Sequence, residues 1–429
     1  MNHWLILPIL MPAILGAVLV IAARHDIVLS RVFSVLSAGL LLAVALVLLA
    51  MASDGSVRVY ALGNWVAPFG IVLVLDRLAA LMLVLTATLG LGVLLYAING
   101  WDERGKHFHP LFQFQLMGLN GAFLTGDFFN LFVFFEILLI ASYGLMVHGG
   151  GGLRVKAGVQ YVVTNLVGSS LFLIAVGLIY SVTGTLNMAD LALKVPQVPA
   201  GDQALLQTGA VLLLLVFGVK AALVPLHFWL PGTYANAPGP VAALFAIMTK
   251  VGAYSIIRLY VLAFGADAGD AAWLAAPWLL PAGLLTLVLG MTGVLAARSL
   301  GQMASFAVIG SMGMLLATVA VFTPQAMSAA LFYLLHSTLG AGALFLIADM
   351  VAERRGMHRD RLTQAPRFAQ GALIAGLFFA AAIAVAGMPP LSGFLGKLLV
   401  LDSVRSHPQA AWFWTLILAT SLLDRKSVV

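Results

Sequence analysis

Apolar runs of membrane length recur from one end of the chain to the other, separated by short polar stretches. They fall at about 4–23, 30–52, 70–98, 108–126, 128–148, 157–183, 206–230, 238–265, 272–296, 301–323, 326–350 and 370–401, with a shorter one at 411–423. Most approach the roughly 20 residues that a membrane-crossing helix needs. The pattern predicts an all-α, polytopic membrane protein. A soluble globular fold needs loops and helix faces rich in charge, and the chain has neither. The segment at 4–23 has the apolar core of a signal peptide, but its start (MNHW) carries no positive charge and its length favours a retained first helix.

Two segments carry proline where a helix would otherwise continue. The seventh reads FGVKAALVPLHFWLP over 217–231, and the twelfth ends AGMPPLSGFLGKLLV over 386–400. Proline removes a backbone donor and clashes one turn back, so Pro225, Pro231, Pro389 and Pro390 are expected to interrupt their helices. Unpaired backbone at membrane depth is tolerated only inside protein or beside a wet cavity. The breaks lie five segments apart, an odd number, so a five-helix unit repeated once is inverted across the membrane. Paired broken segments in corresponding positions point to a transporter's ion site. Ordinary proline kinks are the bland alternative.

Composition agrees: of 429 residues, 62% are hydrophobic and 9% charged, against about 25% charged in typical soluble domains. The absence of cysteine excludes disulfides, thiolate-bound iron–sulfur clusters and cysteine zinc sites, and no cofactor or metal is expected. The formal charge of +6 invites a polyanion partner, but its distribution argues for topology instead. Arg24, Arg31, Arg104, Lys106, Arg154, Lys156, Arg298, Arg354, Arg355, Arg359, Arg361 and Arg367 fall on one side of the alternating segments. Only Arg58, Lys194 and Arg405 fall on the other. This positive-inside bias puts the N-terminus on the extracytoplasmic side of a bacterial plasma membrane and implies no nucleic acid. The longest hydrophilic stretches, 184–205 and 353–369, are short for an independent fold.

The charges left inside the apolar segments are the candidate chemistry: Arg77, Lys220, Lys250, Arg258 and Lys397, with Asp76, Glu136 and Asp349. A Lys, Arg or Asp at the centre of a membrane helix costs about 2.5–3.5 kcal/mol on the insertion scale, and such residues usually line pathways or pair internally. Glu136, Lys220 and Lys250 lie near the middles of segments five, seven and eight. Lys397 follows the second break. Burial disfavours a lysine's charge and a nearby carboxylate restores it, so moving a carboxylate or wetting a cavity would load and unload a proton. The alternative for Glu136 and Lys220 is a static ion pair locking two helices. Asp76 and Arg77 sit near a segment end, where snorkelling is the simpler reading, and Arg258 reads equally well as an interface anchor. His227 either relays protons or bonds carbonyls freed by the break. His336 is either a packing histidine or a relay between Lys250 and Lys397. Gly340 and Gly342 read as close-packing residues.

At these residues the chain resembles the antiporter-like family shared by Mrp/Pha-type cation/proton antiporters and the proton-pumping subunits of respiratory complex I. The matching stretches are VLDRLAALMLVLTATLG, GDFFNLFVFFEILLIASYGLM, GVKAALVPLHFWLPGTYANAPGPVAALFAIMTKVGAYSIIRLY and AGMPPLSGFLGKLLV, spanning roughly 70–400. The details most resemble the D-subunit branch of Mrp/Pha multisubunit Na+(K+)/H+ antiporters. That resemblance implies fourteen helices in one transmembrane domain over 1–429. Three peripheral helices would occupy 1–107, a first five-helix repeat 108–265, and a second, inverted repeat 272–423, before an atypical tail at 424–429. The same resemblance makes Glu136 and Lys220 the ion-pair switch, Lys250 the connecting lysine, His336 the family's histidine and Lys397 the terminal site. It also implies partner subunits, with protons and Na+ or K+ as cargo. Two departures stand out. Many relatives carry a lysine shortly after the histidine, where this chain reads STLGAGALF, and the last apolar segment, AWFWTLILATSLL, reads as a thirteenth helix cut short.

The function expected is a proton-translocating membrane subunit of a multisubunit antiporter, a transporter component and not an enzyme. A proton-pumping subunit of complex I or of a related membrane hydrogenase is the alternative. A haem-binding anchor needs facing histidines, for which His148, His227 and His336 are the candidates near membrane segments. An inert scaffold of static ion pairs is the remaining reading.

Overall fold

The computed structural model describes residues 3–23 and 26–423; Arg24 and the tail 424–429 lie outside the described residues. The helices are α1 Leu7–Ile21, α2 Ile27–Ala52, α3 Arg77–Ala97, α4 Phe108–Leu124, α5 Phe128–Met146, α6 Gly152–Thr183, α7 Met188–Lys194, α8 Gln203–Lys220 and α9 Trp229–Asn236. There follow α10 Gly239–Phe245, α11 Met248–Leu262, α12 Ala276–Ala296, α13 Leu300–Val319, α14 Pro324–Arg354, α15 Gly371–Ala386, α16 Ser392–Ser403 and α17 Ala410–Leu423. Ten stretches of helix among the described residues are long and apolar enough to cross a membrane. The protein is a polytopic, mostly helical membrane protein. Two compact units divide it, one formed by 1–217 with 254–274, the other by 218–253 with 275–429.

In the first unit, side-chain caps set the starts of α2, α3, α5 and α7. Asp76 accepts from the Ala79 amide at 2.8 Å and Asp127 from that of Asn130 at 2.8 Å, satisfying donors that a first turn leaves free. The Asp76 cap explains why α3 starts at Arg77 although apolar residues begin before it. Val72–Leu75 instead forms β2, paired antiparallel with β1 Arg58–Ala61 in the register Arg58↔Leu75. The apolar pattern conceals this small hairpin, because four residues of alternating Val and Leu suit either element. Helices α4 and α5 cross closely: a side chain at Gly118 would meet the Leu138 backbone at 2.6 Å.

In the second unit, α12 and α13 touch through backbone, Gly290 lying against Gly310. Such small-residue contacts are how membrane helices gain van der Waals packing. Gly340 of α14 lies against Val385 of α15, in keeping with a packing role.

Both proline-marked breaks are present in this unit. Helix α8 stops at Lys220, and irregular backbone runs from Ala221 to Phe228 before α9. Its freed groups find partners. The Val224 amide donates to Thr286 Oγ1 of α12 at 2.9 Å, and the Trp229 indole N–H donates to the Val219 carbonyl at 3.0 Å. Pro225 lies in the break. Pro231 does not interrupt a helix as expected: it occupies the first turn of α9, where its missing N–H has no intrahelical acceptor to lose. The second break separates α15 from α16 and holds Pro389 and Pro390. Gly387 turns the chain there at φ +73°, with the Met388 amide reaching back to the Ile383 carbonyl at 3.1 Å, the bond of a glycine-ended helix.

A third interruption has no mark in the sequence. The segment expected to run unbroken over 238–265 is divided at Ala246–Ile247, whose amides bond three residues back, to Ala243 and Leu244, each at 3.2 Å. The Phe245 carbonyl accepts instead from the Tyr234 hydroxyl at 2.8 Å. No proline or glycine stands at the place, which lies just before Lys250.

Candidate functional site

In the first unit, Glu136 sits near the middle of α5, half-buried. Ser169 of α6 donates its hydroxyl to Glu136 Oε1. Asp76 does more than cap α3: it accepts a forked pair of bonds from Arg258 of α11, with Nη2 to Oδ1 at 2.7 Å and Nη1 to Oδ2. Arg258 Nε also donates to the Tyr254 hydroxyl at 2.8 Å, which in turn donates to the Phe123 carbonyl at 2.5 Å. Neither snorkelling for Asp76 nor interface anchoring for Arg258 describes this pair, because each charge is spent on the other. Arg77 points away, to the Ser53 carbonyl at 2.8 Å in an exposed position, as a snorkelling residue does.

Six of the candidate residues lie in the second unit, Asp349 of α14 among them. Lys220 ends α8 and is buried. His227 lies in the first break, and its Nδ1 is buried with no hydrogen-bond partner among the described residues. Lys250 lies in the first turn of α11 with 0% of its surface exposed. Its Nζ makes no hydrogen bond among the described residues, an unusual condition for an ammonium, whose burial is normally compensated by pairing.

His336 and Lys397 are tied to one short helix. His336 Nδ1 meets the Ser392 hydroxyl, in the first turn of α16, at 2.9 Å. Five residues on, Lys397 Nζ donates to the Ala386 carbonyl at 2.7 Å and to Ser421 Oγ of α17 at 3.0 Å. A cation thus sits on the carbonyl end of α15, where the helix dipole favours it. Beside His336, a water-sized cavity is lined by Ser311, Tyr333 and Ser337. The packing here is close enough to test. A Cβ on Gly393 would fall 1.8 Å from the Ala384 carbonyl oxygen and 2.8 Å from His336 Nε2. Gly393→Ala is therefore expected to push α16 off α15, destabilising the fold by about 3 kcal/mol, the upper end for overpacking. Thermal denaturation of the assembled complex checks this, and an unshifted transition would contradict the geometry.

One cluster is centred on Asp102, in the connection between α3 and α4, and the sequence does not announce it: Arg31 reads there only as a topological charge. Arg31 holds Asp102 with two bonds, at 2.6 and 2.8 Å, and His109 Nε2 lies 3.1 Å from the same carboxylate. Burial pushes the Asp102 carboxyl up, but the Arg31 and His109 bonds outweigh it and hold the group below its ordinary range. A depressed carboxylate stabilises the fold above its unfolded pKa, so the clamp should hold through neutral pH and fail only as pH falls below about 4.

Comparison with known proteins shows the family. Residues 125–423 match the family described as NADH:quinone oxidoreductase/Mrp antiporter, TM. The D subunit of the probable K(+)/H(+) antiporter of Rhizobium meliloti (strain 1021) is 45% identical over 433 residues, covering 96% of this chain and 80% of that protein. The D subunit of the Na(+)/H(+) antiporter of Bacillus subtilis (strain 168) is 39% identical over 441 residues, covering 100% of this chain and 86% of that one. A chain in the solved Mrp complex from Dietzia sp. DQ12-45-1b superposes with a TM-score of 0.88 at 31% identity, over 100% of this chain and 79% of its own length. With a family match over most of its length and relatives this similar, the chain belongs to the NADH:quinone oxidoreductase/Mrp antiporter transmembrane family.

Proposed function

We propose that this chain is the proton-translocating membrane subunit of a multisubunit antiporter that exchanges Na+ or K+ for protons, working with partner subunits in a bacterial plasma membrane, its N-terminus extracytoplasmic. The observation that carries this reading is Lys250, an ammonium with no exposed surface and no hydrogen bond to its Nζ among the described residues. A packing role would leave that charge uncompensated, whereas a proton carrier must be able to lose it. In this reading Glu136 and Lys220 form the charge pair that opens and closes, Lys250 receives the proton, and His336 passes it to Lys397. His227 is a secondary acceptor at the first break, and Asp76, held by Arg258, fixes the helices around the path. The five-helix repeats over 108–265 and 272–423 supply the two halves of that path.

The second reading, a proton-pumping subunit of a quinone-linked respiratory complex, is favoured by the same family match. The two differ in what drives the proton. In everted vesicles carrying the full set of subunits, added Na+ or K+ is expected to collapse an imposed proton gradient. A gradient untouched by either cation but built by NADH oxidation would establish the second reading instead.

A further inference from the structure

The contact between α5 and α6 changes character at Glu136. On the buried face of α6, Tyr161, Asn165 and Ser169 follow one another four residues apart, stacked along the helix. Ser169 reaches Glu136. The Tyr161 hydroxyl meets Ser142 Oγ of α5 at 2.9 Å, its ring packs edge-on against Tyr143 with centroids 5.4 Å apart, and Asn165 Nδ2 donates to the Tyr161 carbonyl at 2.9 Å. These groups all lie between Glu136 and the Met146–Gly152 connection. Beyond Glu136 the same contact is aromatic. Phe132, Phe135 and Phe217 each pack on Phe172, all with ring centroids 5.7 Å away, and Val176 and Ile179 continue the buried face.

Polar side chains often hold membrane helices together. Adhesion alone gives no reason for them to stop at the one carboxylate and give way to four phenylalanine rings. We infer that the α5–α6 seam is the proton access route to Glu136, open only toward the connection between those helices and sealed on the far side by the Phe132–Phe135–Phe172–Phe217 cluster. This rests on the proton-carrying role proposed for Glu136. The hydroxyls of Ser142, Tyr161 and Ser169 both donate and accept, and the Asn165 amide orients water between them. Each carrier takes a proton on one side as it releases its own on the other. One proton leaves water at the connection, one arrives on the Glu136 carboxylate, and no group between is left charged. Arg154 and Lys156 stand at the start of α6, beside that connection, so in the proposed topology the route faces the cytoplasm.

The test uses the complete complex in vesicles. Tyr161→Phe and Asn165→Leu are each expected to lower the maximal exchange rate about tenfold, equivalent to a slightly higher barrier for the limiting proton step. The half-saturating cation concentration should stay unchanged, and Asn165→Gln should recover most of the rate. Phe172→Ala should add a proton leak that needs no cation. Wild-type rates for both Tyr161→Phe and Asn165→Leu in assembled complexes would overturn the route. Should Asn165→Leu fail to assemble, Tyr161→Phe decides, since it removes a single hydroxyl. Glu136→Gln in the same vesicles separates the two ideas. If it is inactive while the seam variants are normal, only the route fails; if it too exchanges normally, the role of Glu136 fails.

Discussion

Lys250→Met is expected to abolish exchange, by at least about a hundredfold, the lower range for losing a positioned proton-transfer group, while making the assembled complex more stable. The two effects have one cause. Methionine keeps the length and most of the volume of the lysine stem but carries no charge, so it fills the same space without burying an ammonium. Taking an ion out of water costs several kcal/mol even after relaxation, and at Lys250 no hydrogen bond to Nζ among the described residues offsets it. Removing the charge should therefore raise the denaturation temperature. Lys250→Arg makes the complementary case: it keeps a charge that cannot be given up, so it should be as inactive as the methionine variant without its gain in stability. Exchange at the wild-type rate by either variant would refute the role. A destabilised methionine variant would show that the ammonium has a partner that holds the fold.

Lys250 is legible because a charge inside an apolar run is visible in one dimension. The two proline breaks are legible for the same kind of reason, since proline withholds a backbone donor wherever it stands, although Pro12 and Pro281 lie inside α1 and α12 without ending them. The interruption at Ala246–Ile247 is not, since it is made by the Tyr234 hydroxyl taking the Phe245 carbonyl and no local residue announces it. Helix starts are approximate in the sequence where a cap decides them, and the hairpin at 58–75 hides inside what reads as the start of an apolar helix. Partners are the least legible. Ser169, Tyr161 and Asn165 look like ordinary polar residues on a membrane helix until α5 is laid against them. Their spacing of four is the one signal that marks them as a face. Arg258 and Asp76 are 182 residues apart, and each looks like a solvent-seeking end until the fold puts them together.

Arg258→Met is the second large effect, and it falls on stability. Arg258 joins α11 to Asp76 at the start of α3 and, through the Tyr254 hydroxyl, to the Phe123 carbonyl at the end of α4. Asp76 and Arg258 side chains are 23% and 13% exposed, so water screens the pair only weakly. Removing one partner of a buried pair costs about 3–5 kcal/mol because the other charge is left uncompensated. Residual exposure places Arg258→Met near the lower end, about 3 kcal/mol. Asp76→Asn keeps the cap on α3, since asparagine accepts from the same amide, but strands the guanidinium. The double variant strands neither and should recover most of the loss. A coupling energy of about 2 kcal/mol or more is therefore expected in the double-mutant cycle, read from denaturant-induced unfolding of the purified complex. Additive losses would mean that the two residues act independently. Tyr254→Phe removes both bonds of its hydroxyl, the one accepted from Arg258 and the one donated to Phe123, and alone should cost about 2 kcal/mol, at about 1 kcal/mol per hydrogen bond. An equal loss in Tyr254→Phe and Arg258→Met would shift the weight of this junction from the ion pair to the hydroxyl.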